Sequence, residues 1–491
     1  MIKVSRRHTI SFLLATVASI GLPDRLLGTP KPILRPNFVV NRSGREIREL
    51  LKFAPVGSDI TFVVCDTDTG EELENLNPLR SLPPASVMKA ITGFYALDIL
   101  GPEFSFQTRL MINGPINNGT LEGDLILVGG GDPTLDTDAL YDLCKLLSDS
   151  NLKNLTGDFK VYSSDWPSIN SIDPDQPSHL SYNPSISGLN LNFNRIFLEW
   201  KRKQAGYSLT LEARGLKARP SIDGIKVKLS DRTSPVFEYK KLQNNESWTV
   251  ARSSLGQTGG RWLPVRNPTL YAGQVFQKLA IDAGIDLPAP TVIYSKPKGK
   301  ILVSHESETL RGMTKSMLKH STNLTAEMLG VTASSNFRPI SSLDASSLRM
   351  VRWLEERCSL NGVSLVDHSG LNDQSTISAN SMVNILRDSR MQILIKPLLK
   401  KIPYRRKKGQ KIFGDDIKIV GKTGTLHYVS ALAGYIDNTK GRNLAFAIFV
   451  SDMRKRRNLE NHQKENPRGS TSWMNSARYF QRLLINRWCR F

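Results

Sequence analysis

The stretch PPASVMKAITGFYALDILG, Pro83 to Gly101, decides the fold, and its difficulty is a lysine. Two prolines cannot sit inside a helix but can precede one, and Gly101-Pro102 can close one, so the pattern predicts a helix starting near Ser86. Val87, Met88, Ile91, Phe94, Leu97 and Leu100 leave that helix apolar almost all the way round, which implies burial. Lys89 follows Ser86 by three residues, one turn along the same face. Burial favours the neutral form of a lysine, and a neutral amine can take the proton that makes a serine nucleophilic. An ordinary lysine would cost about 4.6 kcal/mol to deprotonate at pH 7, most of which burial or a second cation can remove. The alternative is a lysine snorkelling from a core helix behind a serine that only caps it.

Two further motifs decide between these readings. In HSTNLTAEML, Ser321 and Asn323 open a helical stretch; in IVGKTGTLHYVSAL, Lys422-Thr423-Gly424 ends a strand-like run. In this order, S-x-x-K, S-x-N and K-T-G are the signature motifs of the penicillin-recognising serine enzymes. PASVMK, GDLILVGGGDPTL at 123–135, YNPSISGLNLNFN at 182–194, STNLTAE and DHSGLN at 367–372 extend the likeness. Over roughly residues 40 to 485 the chain resembles the low-molecular-mass class C penicillin-binding proteins, the D-alanyl-D-alanine carboxypeptidase/endopeptidase family S13. The separation of 235 positions from Ser86 to Ser321 fits that family, whose members carry extra domains between the first two motifs.

The resemblance implies an α/β (α+β) domain of the serine β-lactamase/transpeptidase type, an antiparallel sheet flanked by helices, with β-rich inserted domains. Ser86 resembles the acylated nucleophile and Lys89 its base. Ser321 would relay a proton to the leaving amine, and Asn323 would orient the substrate amide and Lys89. Lys422 resembles the cation that faces the substrate's terminal carboxylate and keeps Lys89 neutral by repulsion. Thr423 and Thr425 would donate to that carboxylate, while Gly424 would leave room for a peptide to add alongside the strand. The N–H groups of Ser86 and Thr425 would form the oxyanion hole. No cofactor is implied, and no metal, since the seven histidines show no ligand spacing. Peptidoglycan stem peptides are the expected substrate and β-lactam antibiotics the expected inhibitors. His368 stands where the family pattern has a glycine and Thr322 where it often has Asp; Asp165 or Tyr182 could read the stem peptide.

In organisation, residues 1–28 read as an export signal, with Lys3, Arg6 and Arg7 before the apolar run Ile10 to Leu22, so an exported, periplasmic protein is expected. An uncleaved signal would tether it to the membrane. Residues 38–103 and 300–491 are read as one catalytic domain, and 104–299 as an inserted β-rich region of two nested domains with few long helical periods. The four cysteines lie far apart and read as buried thiols.

The formal charge of +21, from 66 basic and 45 acidic residues, suggests an anionic envelope surface as partner through Arg405 to Lys408 and Arg454 to Arg457. Nothing has the form of a specific nucleic-acid motif. A P-loop would need glycine at position 416, which is Asp416, and no G-x-S-x-G nucleophile elbow occurs. The competing functions are a catalytically inactive peptidoglycan-binding scaffold and a β-lactamase; the first calls for a broken motif, the second for an added water-activating group, and neither feature is found.

Overall fold

The structure, a computed structural model, describes residues 47–242, 245–360, 362–403, 417–439, 441–460 and 463–491. The export signal expected at 1–28 and the basic run Arg405 to Lys408 lie outside the described residues. A six-stranded antiparallel sheet unites the two ends of the chain, in the order Lys400–Lys401, Ile417–Leu426, Val429–Asn438, Leu444–Ser451, Asp59–Asp66 and Glu72–Leu76. Both hairpins expected from the sequence are present, Asp59–Asp66 with Glu72–Leu76 and Val429–Asn438 with Leu444–Ser451.

The strand Leu444–Ser451 is buried along its whole length because both faces of the sheet are covered. Ala445, Ala447 and Phe449 join Val63 and Cys65 against the helices on one side. Phe446, Ile448 and Val450 join Phe62 and Val64 against the C-terminal helix Ser470–Trp488 on the other. The period of two that puts alternate side chains on opposite faces makes one strand serve two cores.

The quoted stretch forms a short 3-10 turn, Ala85–Val87, running into the helix Met88–Leu100. Every residue from Met88 to Leu97 is buried, since helices Leu310–His320, Asn323–Ser335 and Leu343–Glu355 and the central sheet enclose it. Gly101, at φ 86°, ends it with a backbone bond to the Leu97 carbonyl. Ala85 takes a left-handed φ of 44°, a conformation unfavourable for alanine that sets the turn carrying Ser86.

Between Gln107 and Glu306 the chain builds a second body around its own core. A five-stranded sheet runs in the order Thr291–Ile293, Phe159–Tyr162, Leu125–Val128, Gln107–Ile112 and Lys300–Glu306, with three-stranded sheets formed from Arg195–Lys203, Gly206–Glu212 and Thr258–Pro264 and from Ile225–Ser230, Phe237–Lys241 and Glu246–Ala251. Two long helices, Thr137–Asp149 and Pro268–Asp282, stand here against the sequence expectation of few helical periods. Each is capped by a side chain just before it, Asp136 and Asn267, a local signal the surrounding short strands mask. Ile172 and Ile186 pack on Leu324, Met328 and Val331 of the helix Asn323–Ser335, so one loop of this body is fixed against the catalytic region.

All four cysteines are free, Cys65, Cys144 and Cys489 buried and Cys358 partly so. No helix among the described residues is long and apolar enough to cross a membrane.

Gly434 faces Gly421 across the sheet, and a side chain there would press on the Gly421 Cα at 2.5 Å and on the Val420 carbonyl. Gly434→Val is therefore expected to lower stability by about 2 kcal/mol or more, read as a drop in the urea midpoint.

Candidate active site

Three separate parts of the chain bring the predicted residues together. Lys89 is fully buried, and its Nζ donates to the Ser86 hydroxyl at 2.9 Å, the Asn323 Oδ1 at 2.7 Å and the Ser369 carbonyl at 2.7 Å. All three ammonium protons thus have acceptors; on losing one, the amine can receive the Ser86 proton through the same contact. Burial lowers the Lys89 pKa to about 7, against the opposing pull of Glu327 and Asp367. The enclosed apolar helix that makes lysine improbable by default is what lets it be neutral near pH 7.

Lys422, also buried, donates to the Ser321 hydroxyl at 2.9 Å and to the Thr423 carbonyl at 2.8 Å. Burial, then Lys89, then Lys400 hold its pKa well below the ordinary lysine value. Ser321 sits at φ 61° where helix Leu310–His320 ends, a left-handed cap that turns the chain sharply into the helix opened by Asn323. Asn323 donates its Nδ2 to the Tyr182 carbonyl at 2.7 Å, so the inserted body reaches the site through a backbone oxygen. Asp165, by contrast, accepts from Tyr162 at 2.9 Å within the insertion.

Gly424 has an intramolecular reason beyond peptide access. A Cβ there would stand 2.5 Å from the Pro84 carbonyl and 3.0 Å from the Ser86 nitrogen, so glycine lets the strand press against the serine turn. Thr425 is exposed beside it, and along the outer edge of this strand the segment Lys400 to Ile402 pairs at Gly421, Val420 and Ile419.

Two buried carboxylates behind Lys89 escape the motif reading. Glu327 accepts the N–H groups of His368 and Ser369, both at 2.9 Å, and Asp367 accepts those of Leu371 at 2.8 Å and Asn372 at 3.0 Å together with the Ser375 hydroxyl at 2.8 Å. They pin the loop whose Ser369 carbonyl takes a Lys89 proton. Burial raises both pKa values, and for Glu327 the neighbouring Asp367 adds to the rise. Their sequence signal is confined to STNLTAE and DHSGLN, which resemble the family without marking either acid for a role.

His368 needs no glycine at its position, because the positive φ of this loop falls on Gly370, at 71°. Its ring is buried and neutral, its pKa pushed down to about 3 by burial, and its Nε2 lies 2.7 Å from the Ser346 hydroxyl. The space it fills is left by Gly330, where any Cβ would run into the imidazole. Thr322, where Asp is often found, hydrogen-bonds Thr325 at 2.9 Å, outside the Lys89 contacts.

An antiparallel sheet flanked by helices, with a serine turn, an Asn-bearing helix start and a lysine strand meeting beside it, is the transpeptidase-like class of fold. The crystal structure of penicillin binding protein 4 from Haemophilus influenzae superimposes with a TM-score of 0.73 at 21% identity, covering 91% of this chain and 100% of that one. The same protein solved with a bound β-lactam gives 0.72. The chain belongs to the D-Ala-D-Ala carboxypeptidase 3 (S13) family, whose model matches residues 45–468. It is 25% identical over 424 residues to the D-alanyl-D-alanine carboxypeptidase DacB of Haemophilus influenzae, covering 82% of this chain and 88% of that one. It is 26% identical over 425 residues to the D-alanyl-D-alanine carboxypeptidase of Actinomadura sp., covering 79% and 76% respectively.

The packing of His368 on Gly330 gives a stability prediction. Gly330→Ala should cost about 1 to 3 kcal/mol, and combining it with His368→Gly should recover part of that loss, a coupling visible in a double-mutant cycle of denaturation midpoints.

Proposed function

We propose that the protein is a serine-type D-Ala-D-Ala carboxypeptidase, endopeptidase or both, acting on peptidoglycan stem peptides through an acyl-enzyme on Ser86. The observation that carries this reading is the 2.9 Å contact between Ser86 and a fully buried Lys89. Neutral Lys89 takes the hydroxyl proton as the serine oxygen attacks the penultimate D-Ala carbonyl. The backbone N–H groups of Ser86 and Thr425 receive the oxyanion. The terminal residue leaves as an amine, protonated through Ser321, which Lys422 holds at 2.9 Å. Water then attacks the ester carbonyl and gives a proton to Lys89; its oxygen stays on the acyl carbon, and Lys89 passes that proton to the Ser86 oxygen as the ester bond breaks, releasing the shortened peptide and restoring the neutral amine.

The substrate's carboxylate meets Lys422, Thr423 and Thr425. Its arrival favours the charged form of Lys422, and a positive Lys422 in turn disfavours a proton on Lys89. A β-lactam presents an acylating carbonyl and a carboxylate in the same relation, which makes it an inhibitor by trapping the same ester.

The polymer acted on lies outside the cytoplasmic membrane, which accords with reading residues 1–28 as an export signal into the periplasm. The basic surface serves to hold the enzyme near anionic envelope polymers. Its described part is the helix Met453–Arg457, where Arg454, Lys455 and Arg457 are exposed while Arg456 pairs with Asp373.

Incubation with benzylpenicillin is expected to give one stable adduct by intact mass, on the peptide containing Ser86 and absent from Ser86→Ala. An intact antibiotic without adduct would favour the inactive scaffold, and a hydrolysed antibiotic without adduct a β-lactamase. The acylation rate should rise with pH through a midpoint near 7, since raising pH past the Lys89 pKa creates the neutral base. A rate independent of pH between 5 and 9 would remove Lys89 from that role. Charge reversal at Arg454 and Arg457 should weaken binding to isolated peptidoglycan at low salt and make no difference at high salt.

A further inference from the structure

Three cations gather along the strand Ile417–Leu426 without an acid to meet them. Lys422 is buried in it. Lys400 stands opposite Gly421 on the short outer strand. Arg478, on the exposed side of the C-terminal helix, turns its guanidinium to the Thr425 hydroxyl, with Nη2 at 3.4 Å.

These groups feel one another. Burial and then Arg478 lower the Lys400 pKa; Lys400 in turn adds to the lowering of Lys422, after burial and Lys89, and of His320, the neighbour of Ser321, after burial and Lys319. Among the described residues none of the three cations is bonded to a carboxylate. Lys418 and Lys401 on the same two strands likewise have no carboxylate partner among the described residues, so positive charge collects along this edge beside the exposed Thr425 hydroxyl that Arg478 meets, an arrangement that an anion relieves.

We propose that Arg478 and Lys400 extend the carboxylate-binding edge beyond Lys422, Thr423 and Thr425, and so select substrates whose leaving D-amino acid ends in a free carboxylate. This rests on the reading of the site as a D-Ala-D-Ala peptidase. Arg478 is the specificity-determining residue of the pair, since its planar fork can bond a carboxylate oxygen while Thr425 bonds the same group. Lys400 acts at longer range, adding to the field without a hydrogen bond to the ligand.

The test uses the full chain, an acylated D-Ala-D-Ala peptide with a free terminal carboxylate, and the same peptide as its terminal amide. Arg478→Gln should lower kcat/KM on the free acid about tenfold, chiefly through KM, and change it less than twofold on the amide. Arg478→Lys should restore most of the loss, and Lys400→Gln alone should cost about threefold on the acid only. Equal losses on both peptides, or none on either, would overturn the proposal. Benzylpenicillin labelling of the wild type separates this from failure of the underlying reading: an unlabelled and inactive wild type sinks both, whereas a labelled, active wild type whose Arg478→Gln variant keeps its acid preference sinks only this inference.

Discussion

Everything in the site depends on keeping a lysine where solvent cannot reach it. The Lys89 amine has three protein acceptors within 2.9 Å and no exposed surface, so its proton affinity is set by the fold. Burial expels the charge, two buried carboxylates attract it, and burial prevails, so the amine can change state close to neutral pH. The loop that carries Asp367 and the Ser369 carbonyl has to hold its place for that to be so, and it is heavily bonded.

That loop is where structural and chemical demands coincide. Buried peptide N–H groups must find acceptors; Glu327 supplies one set from the helix Asn323–Ser335, and Asp367, at the start of the segment 367–372, supplies the other. The carbonyls of the same segment are thereby aimed inward, His368 to Thr92 at 2.6 Å and Ser369 to Lys89 at 2.7 Å. An acidic pair that looks costly in isolation is thus held by backbone donors, and its charge is used across the loop it organises. The inserted body adds one oxygen to this arrangement, the Tyr182 carbonyl, and its packing on Leu324 and Met328 keeps that oxygen in place.

The sequence made the reacting groups legible because each motif forces an unusual residue into a fixed local relation. A lysine in an apolar helix, a serine and asparagine two apart, and a lysine followed by glycine in a strand all stand out without knowledge of their neighbours. The hairpins and the amphipathic C-terminal helix were legible for the same reason, through period and turn residues. Glu327 and Asp367 were not, since a carboxylate in a helix or turn is ordinary until burial is known. Gly424 was legible as a place for close approach, but the approaching partner is also the chain's own Pro84 carbonyl, which depends on a contact across more than 300 residues. His368 read as a departure from the family because its compensation, Gly330, lies 38 residues earlier and carries no motif.

The wide separation in sequence of the groups around Lys89 has a consequence for the life of the chain. Its contacts to Asn323 and Ser369 span 234 and 280 residues, and the sheet that carries Lys422 includes strands from both ends of the protein. Such contacts form only after long loops have closed. A chain still being synthesised, or one clipped before its final strands, therefore lacks the arrangement around Ser86. The surroundings of Ser86 are in this sense a quality mark of the finished molecule: a copy that lacks either end of the chain keeps the serine but not the buried amine, the asparagine and the strand lysine that stand around it.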